Sequence, residues 1–170
     1  MLRWFGAVLL VLSSAMLSMN AVLRSRQRIR GLEAMAEGLQ RMEGEIASRH
    51  TALPELMQRL SAEARQPAAE FFSLVSLNLN RRELPFSTAW EMALKETESL
   101  CLLPEENQAL DVLGKTLGKS AAEEQQEAIR RTEKKLQLFQ ELEQKEHLKK
   151  NRVRAAAGAG AGVMLAILLL

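Results

Sequence analysis

The side chains best suited to chemistry in this sequence are two histidines, His50 and His147, and one cysteine, Cys101. A zinc site needs several Cys, His or Asp ligands at close spacing, and neither histidine has a Cys or Asp at such a spacing. Cys101 lies in a leucine-rich stretch, where a buried and unreactive thiol is the ordinary expectation. The sequence therefore predicts no metal site and no catalytic Cys–His pair.

Motifs for phosphate binding or hydrolysis are missing as well: there is no glycine-rich phosphate loop and no nucleophile elbow. Glu33 and Glu37 stand at helical spacing, but a glycosidase also needs a cleft that gives its two carboxyl groups different environments. Since the chain has 21 acidic residues, such pairs arise by chance and indicate a solvated helix face. We predict a protein that is not an enzyme and uses no cofactor.

The charged residues are distributed unevenly along the chain. Residues 31–148 hold 14 basic and all 21 acidic residues, a net charge of −7, although the whole chain carries +2. The remaining basic residues are Arg3, Arg24, Arg26, Arg28, Arg30, Lys149, Lys150, Arg152 and Arg154. The basic isoelectric point therefore reports charges near the two ends of the chain, and it does not predict nucleic-acid binding.

Both ends of the chain are apolar. Residues 4–23 form a run of twenty without a charge, long enough to cross a hydrocarbon core of about 30 Å, and we predict a transmembrane helix over residues 2–23. A cleaved signal peptide is the alternative, but the four arginines that follow the run oppose translocation. Residues 155–170 are uncharged and predict a second, short transmembrane helix or a tail anchor.

Two basic collars, residues 24–30 and 149–154, border these apolar segments. The positive-inside rule places both collars on the cytosolic side of a membrane, so the acidic domain of residues 31–148 is predicted to be cytosolic. The long basic side chains would also contact the headgroups of the lipid bilayer.

Apolar residues recur at helical spacing between the collars and predict an all-α fold. Val and Ile are few, whereas good helix formers are common, which favours helix over sheet. Pro54 and Pro104 indicate helix starts, Gly118 indicates a helix end, and Trp90 is expected in the core. We expect a compact multi-helix bundle between an N-terminal and a C-terminal transmembrane helix.

The first and last helices of this bundle are predicted to be long. An apolar stripe runs through residues 29–46, and no Gly-Pro break separates it from the first apolar segment. No helix breaker interrupts residues 121–154. The apolar seam of this last helix consists of Ile129, Thr132, Leu136 and Phe139. Glu143 occupies the next seam position and interrupts the apolar pattern.

Short motifs in a fixed order resemble the stage III sporulation protein AB family of endospore-forming bacteria over nearly the whole chain. They lie at residues 6–10 (GAVLL), 39–46 (L-x-x-M-E-x-E-I), 51–56 (TALPEL), 89–94 (AWEMAL) and 114–120 (GKTLGKS). The candidate family-motif positions are Glu43, Glu45, Leu53, Pro54, Trp90, Gly114, Leu117, Gly118 and Gln125. Ala121 departs from the family pattern, which usually has Asp there, so any partner contact of that Asp is in doubt.

The resemblance implies a subunit of an export-like complex in the mother-cell membrane around the forespore. It also implies that the acidic domain is similar to the helical cytosolic domain of the type II secretion and pilus inner-membrane platform protein. The implied partners are the secretion-type ATPase of the same set, stage III sporulation protein AA, and the other subunits of the complex. A membrane-tethered regulatory or signalling module that binds a soluble factor is the alternative function.

Overall fold

The computed structural model describes the backbone of residues 2–49, 52–82, 84–119 and 121–169, and the side chains of residues 23–48, 52–80, 84–119 and 121–145. The described backbone forms six α-helices and one short 3-10 helix, and it contains no strand. They are α1 (Leu2–Arg49), α2 (Leu53–Glu63), α3 (Ala68–Arg82), α4 (Phe86–Glu96), the 3-10 helix (Glu98–Leu100), α5 (Pro104–Thr116) and α6 (Ala122–Leu169). The predicted all-α bundle is confirmed.

The two longest helices, α1 and α6, pack against each other in antiparallel orientation. Arg28 of α1 contacts Glu143 of α6 at 2.5 Å, whereas Glu43, further along α1, contacts Arg130 at 2.5 Å. The contacting position therefore moves back along α6 as it advances along α1. Each helix is continuous over 48 residues, as the lack of helix breakers predicted.

The apolar stripe of α1 and the seam of α6 both face the core. The buried members of the stripe are Leu32, Met35, Ala36, Leu39, Met42 and Ile46. On α6, Ile129, Thr132 and Leu136 are buried, and Phe139 packs against the core with partial exposure. The apolar spacing thus identified the correct face of each helix.

Three aromatic rings fill the centre of the bundle between α3, α4 and α5. The centroids of Phe71 and Phe72 lie 4.7 Å and 6.5 Å from that of Trp90, with the rings edge to face. The Trp90 indole Nε1 donates a hydrogen bond to the carbonyl oxygen of Leu110 at 2.9 Å, which ties α4 to α5. An added Cβ on Gly114 would lie 2.2 Å from Cδ1 of Trp90, so glycine makes room for the ring. Trp90 is therefore a core residue, as expected.

The predicted transmembrane segments, residues 2–23 and 155–170, lie outside the described side chains apart from Leu23. Their backbone belongs to α1 and α6. Within the part of the chain that is described, no helix combines the length and the apolar character that a membrane crossing requires. The bundle is established for the middle of the chain, and the two crossings stay predictions.

Candidate interaction site

Three helices meet in a partly buried ion cluster formed by Arg28, Glu106 and Glu143. The Arg28 guanidinium contacts Glu106 through Nη2 at 2.6 Å and through Nε at 3.0 Å, and its Nη1 contacts Glu143 at 2.5 Å. Only 15% of the Arg28 side chain is exposed, and the Glu106 side chain is fully buried. Ser25 donates a further hydrogen bond to Glu143. The ion cluster thus joins α1, α5 and α6 at one end of the bundle.

The local sequence explains why both carboxylates of the ion cluster point inward. Glu106 lies in the first turn of α5, where its Oε2 accepts a hydrogen bond from the Leu103 backbone N–H at 2.7 Å. The positive end of the helix also favours a carboxylate there. Glu143 follows Phe139 by one helical turn and so continues the inward-facing seam of α6. The interruption seen in the sequence is therefore the position that receives Arg28.

The two carboxylates of the ion cluster compensate the Arg28 guanidinium for its burial. Desolvation lowers the pKa of the guanidinium, but hydrogen bonds and negative charge from Glu106 and Glu143 outweigh it, and the net pKa is raised. A carboxylate as buried as that of Glu106 requires such a partner, because an unpaired buried charge is strongly unfavourable.

A groove of about 570 Å³ opens beside the ion cluster, between α4, the 3-10 helix and α5. We call it the acidic groove. Its lining includes the apolar residues Leu94, Leu100 and Leu102 and the acidic residues Glu91, Glu98 and Asp111. Residues 91–111 contain six acidic residues and one basic residue, a net charge of −5, which is most of the −7 carried by residues 31–148. Of these acidic residues only Glu91, Glu98 and Asp111 line the groove, together with Lys95, so the lining itself carries a net charge of −2.

The carboxylates of the acidic groove differ in their partners. Glu91 pairs with Lys95 at 2.6 Å, and Asp111 pairs with Lys115 at 2.5 Å. Both pairs join residues one turn apart on an exposed helix face, where ion pairs are weak. Glu98 makes no ion pair with any residue whose side chain is described. The groove can therefore accept cations from outside the chain.

Cys101 lies in the acidic groove, which corrects the expectation of a buried thiol. Its side chain is half-buried, and its Sγ lies 3.8 Å from Oε1 of Gln27 on α1. The leucine-rich stretch is a connection rather than a helix, and Cys101 ends the 3-10 helix in the left-handed conformation, with φ of 52°. Leu100 consequently turns into the core while the thiol stays within reach of solvent.

Gly31 allows the floor of the acidic groove to approach α1. An added Cβ on Gly31 would lie 2.4 Å from the carbonyl oxygen of Leu100, closer than two such atoms can come. Together with the contact between Gln27 and Cys101, this close approach sets the groove at the level of residues 27–31 on α1. The acidic groove and the first basic collar therefore occupy the same height in the bundle, where height means the position along the axes of α1 and α6.

Several candidate family-motif positions are packing positions at the opposite end of the bundle. Leu117 is buried, and Leu53 packs against the core at the start of α2. Gly118 has φ of 81°, which favours glycine, and an added Cβ there would approach Leu53 Cδ1 at 3.2 Å. Pro54 occupies the first turn of α2, as its predicted role as a helix start requires.

The remaining candidate family-motif positions lie on the surface of α1 and α6. Glu43 pairs with Arg130 at 2.5 Å, Glu45 contacts Arg59 at 3.5 Å, and Gln125 is half-buried near the start of α6. The structure therefore spreads the candidate family-motif positions over the core and several surfaces and does not gather them into one site.

The basic collar residues have different environments. Arg24, Arg26 and Arg30 are exposed, whereas Arg28 enters the ion cluster. The second collar, Lys149, Lys150, Arg152 and Arg154, lies outside the described side chains. Three arginines of the first collar are therefore accessible to solvent, headgroups or partners, and the fourth stabilises the fold.

The side chains of the two histidines, His50 and His147, also lie outside the part of the chain whose side chains are described. Among the side chains that are described, no three His, Cys, Asp or Glu residues come together in a way that could hold a metal ion.

Sequence reasoning missed Glu106 and Glu143 as partners of Arg28. Two signals pointed to them: Glu143 continues an apolar seam, and Glu106 follows Pro104 at the position that favours an acid in the first turn of a helix. Neither signal names the cation, because the contact joins three segments far apart in sequence. Only the arrangement of the helices supplies that information.

The fold and the site define a small all-helical protein whose two terminal helices pair beside an acidic groove. The model of the stage III sporulation protein AB family matches residues 3–170, so this chain belongs to that family. Stage III sporulation protein AB of Bacillus subtilis (strain 168) is 28% identical over 171 residues, which cover 100% of both chains. A solved structure of stage III sporulation protein AB matches with a TM-score of 0.66 and 28% identity, covering 72% of this chain and 98% of its own. These relatives confirm the resemblance and support a role in sporulation.

Proposed function

We propose that this protein is a membrane-anchored, non-enzymatic scaffold subunit of a secretion-like complex needed for endospore development. Membership of the stage III sporulation protein AB family supports the sporulation part of this proposal. In this role the domain of residues 31–148 stands in the mother-cell cytosol. It couples a secretion-type ATPase, stage III sporulation protein AA, to a channel in the membrane around the forespore.

The observation that carries the proposal is the antiparallel pairing of α1 and α6. Ser25 and Arg28, near the first described side chains of α1, both contact Glu143, near the last described side chains of α6. Two helices that pair in this way continue from the same end of the bundle. The apolar segments of residues 4–23 and 155–170 are then suited to enter one membrane together, as a double anchor requires.

The charges at this end of the bundle agree with a cytosolic membrane face. Arg24, Arg26 and Arg30 are exposed there, and cytosolic flanks of membrane helices are rich in Arg and Lys. Anionic headgroups attract such side chains. In this proposal the domain of residues 31–148 stands upright on the membrane, with its α1–α2 and α5–α6 connections furthest from the lipid.

Affinity purification of the full-length, tagged protein from sporulating cells tests the coupling to an ATPase. After mild cross-linking and detergent extraction, we expect stage III sporulation protein AA to be recovered together with membrane subunits of the complex. An unrelated two-span membrane protein with the same tag is the control. Recovery of the membrane subunits without the ATPase would contradict the coupling role.

The timing of a deletion phenotype separates the scaffold from the regulatory alternative. Loss of a scaffold should stop development after engulfment and abolish later gene expression in the forespore. A regulator would alter gene expression before engulfment. Reporters of forespore gene expression, imaged together with a membrane dye in the deletion strain, measure which step fails first.

A further inference from the structure

Two surfaces of opposite charge lie at the same height in the bundle. The floor of the acidic groove touches α1 where Cys101 meets Gln27 and where Leu100 meets Gly31. These positions fall within or directly beside the first basic collar, residues 24–30. A neighbouring molecule of equal height would therefore bring its own collar to the level of this groove.

Two of the three exposed collar arginines, Arg26 and Arg30, lie on other sides of α1 than the groove of their own chain. Arg24, in contrast, lies within about 20° of Gly31 on the groove side. An α-helix turns by about 100° per residue, so Arg26 lies about 140° and Arg30 about 100° around the α1 axis from Gly31, which faces the groove. Both lie about 160° from Arg28, which enters the ion cluster. Both side chains are exposed, and neither makes an ion pair with a described residue. Arg26 and Arg30 form an outward pair, one turn apart.

We propose that Arg26 and Arg30 of one copy of this chain dock in the acidic groove of a second copy in the same membrane. The inference rests on the proposed membrane anchoring, because shared anchoring holds all copies upright and at equal depth. The two copies then use different surfaces, collar against groove. Such a head-to-tail contact leaves a free collar and a free groove at the ends, so it repeats into a ring or a row.

The chemistry of the acidic groove suits arginine. Guanidinium groups bind carboxylates through paired hydrogen bonds, and the arginine stem can lie along apolar side chains such as Leu94 and Leu102. Glu98 has no competing cation among the described residues, and Glu91 is held only by an exposed lysine on its own helix. An incoming guanidinium can therefore bind Glu98 directly and compete for Glu91.

The charge of the acidic groove favours a second copy over the lipid as the partner of Arg26 and Arg30. The groove lining holds the carboxylates of Glu91, Glu98 and Asp111 against the one cation of Lys95, and this net charge of −2 repels anionic headgroups and attracts a basic collar at the same height. Contact of the two arginines with lipid alone, or with another protein alone, is the competing outcome that the following experiment separates.

Site-directed cross-linking between two differently tagged full-length chains tests this docking in vesicles of phosphatidylcholine and phosphatidylglycerol. One chain keeps its natural single cysteine, Cys101, in the groove. The other carries Cys101→Ser with Leu23→Cys, an exposed position beside the collar. Leu23 lies on the same side of α1 as Arg26 and Arg30, and both arginines are kept. With a short bifunctional maleimide, we expect a cross-linked species that contains both tags. In the control, the second chain carries Cys101→Ser with Gln58→Cys, an exposed position on α2.

Charge reversal shows whether the cross-link depends on the proposed ion pairs. Glu98→Arg in the groove chain should lower the two-tag product by about fivefold, the effect of replacing an attraction by a repulsion at a partly exposed pair. Adding Arg30→Glu to the collar chain should restore it. Both positions are exposed, and circular dichroism of each variant checks that the helices are retained.

The outcomes separate this inference from the proposed anchoring. Two-tag product at the Leu23→Cys position, absent from the Gln58→Cys control and sensitive to both charge reversals, supports the docking. Chains that float with the vesicles but give no such product, or product equal to the control, overturn the docking alone and leave lipid or another protein as the partner of the collar. Chains that fail to float with the vesicles overturn the docking and the proposed anchoring together.

Discussion

At the scale of single residues, Arg28 shows how one charge can serve the fold while its neighbours serve the surface. Four arginines share the first collar, and the sequence alone treats them alike. The structure separates them, because the periodicity of α1 turns Arg28 toward α5 and α6 while Arg26 faces away. Only Arg28 neutralises a fully buried carboxylate, that of Glu106.

Removal of Arg28 should therefore destabilise the bundle strongly. Arg28→Met leaves the buried Glu106 without its cation, which typically costs about 3–5 kcal/mol of unfolding free energy. Urea unfolding of the detergent-solubilised full chain, followed by circular dichroism, measures the loss. Arg26→Met is the matched control, and its unfolding free energy should change by less than about 0.5 kcal/mol. Equal effects of the two substitutions would rule out the role assigned to the ion cluster.

Two glycines in helices should respond oppositely to alanine. At Gly114 a Cβ would lie 2.2 Å from the Trp90 ring, so Gly114→Ala forces the central aromatic cluster to shift and should lower stability by about 1–3 kcal/mol. At Gly44 nothing lies within 4 Å of an added Cβ, so Gly44→Ala should raise stability by up to about 1 kcal/mol. Thermal unfolding of both variants measures the difference. Stability changes of the same sign in the two variants would contradict the packing described.

Glu133 gives a prediction for pH. Burial raises the pKa of this carboxyl, the charge of Glu43 raises it further, and Lys134 opposes both. The folded state therefore holds the Glu133 proton more tightly than the unfolded state, and the stability that this proton contributes is lost as pH rises through the folded-state pKa.

Glu133→Gln should accordingly stabilise the protein at neutral pH, by less than about 0.5 kcal/mol at this partly exposed position. The gain should vanish as pH falls below the folded-state pKa of Glu133. Urea unfolding at a series of pH values follows the difference, with Glu141→Gln on the same helix as the control. A gain that does not depend on pH would contradict the assigned cause.

At the scale of elements, the predictions succeeded where burial and spacing coincide. The α1 stripe, the α6 seam and the start of α5 at Pro104 were read directly from apolar spacing and helix punctuation. The connection between α4 and α5 could not be predicted in this way, because its leucines follow neither the helical nor the strand period. Leu100 and Cys101 in this connection contact Gly31 and Gln27 of α1, and no local pattern in the sequence encodes those contacts.

Gly31→Ala tests how that connection is held. The added methyl would press on the carbonyl oxygen of Leu100, so the 3-10 helix must move away from α1. Because Cys101 follows directly and is only half-buried, its thiol should react several-fold faster with maleimide in the Gly31→Ala variant. Gly44→Ala, on the same helix but in open space, should leave the labelling rate unchanged. No change in the Gly31→Ala variant would mean that the connection does not depend on this close approach.

At the scale of the whole molecule, the sequence predicted the charge distribution and the family better than the spatial arrangement of the groove and the collar. The acidic middle, the basic collars and the order of the short motifs were all visible in one dimension, and the family match confirms the motifs. The sequence did not reveal the position of the acidic groove beside the first collar. Residues 24–30 and 91–111 are far apart in sequence and come to the same height only when the helices pack. The candidate site is thus a product of topology, and the elements that build it are products of local spacing.

The central claim is that the N-terminal part of α1 and the C-terminal part of α6 anchor the protein in one membrane. The domain between them lies on the cytosolic side. The natural single cysteine, Cys101, allows a direct measurement, since it is half-buried and lies within that domain. A membrane-impermeant maleimide added to intact vegetative cells that express the protein in their cell membrane should leave Cys101 unlabelled until the cells are permeabilised. In a Cys101→Ser chain with a cysteine appended after Leu170, the appended thiol should be labelled from outside at once. Labelling of Cys101 in intact cells at the rate seen after permeabilisation would contradict the account.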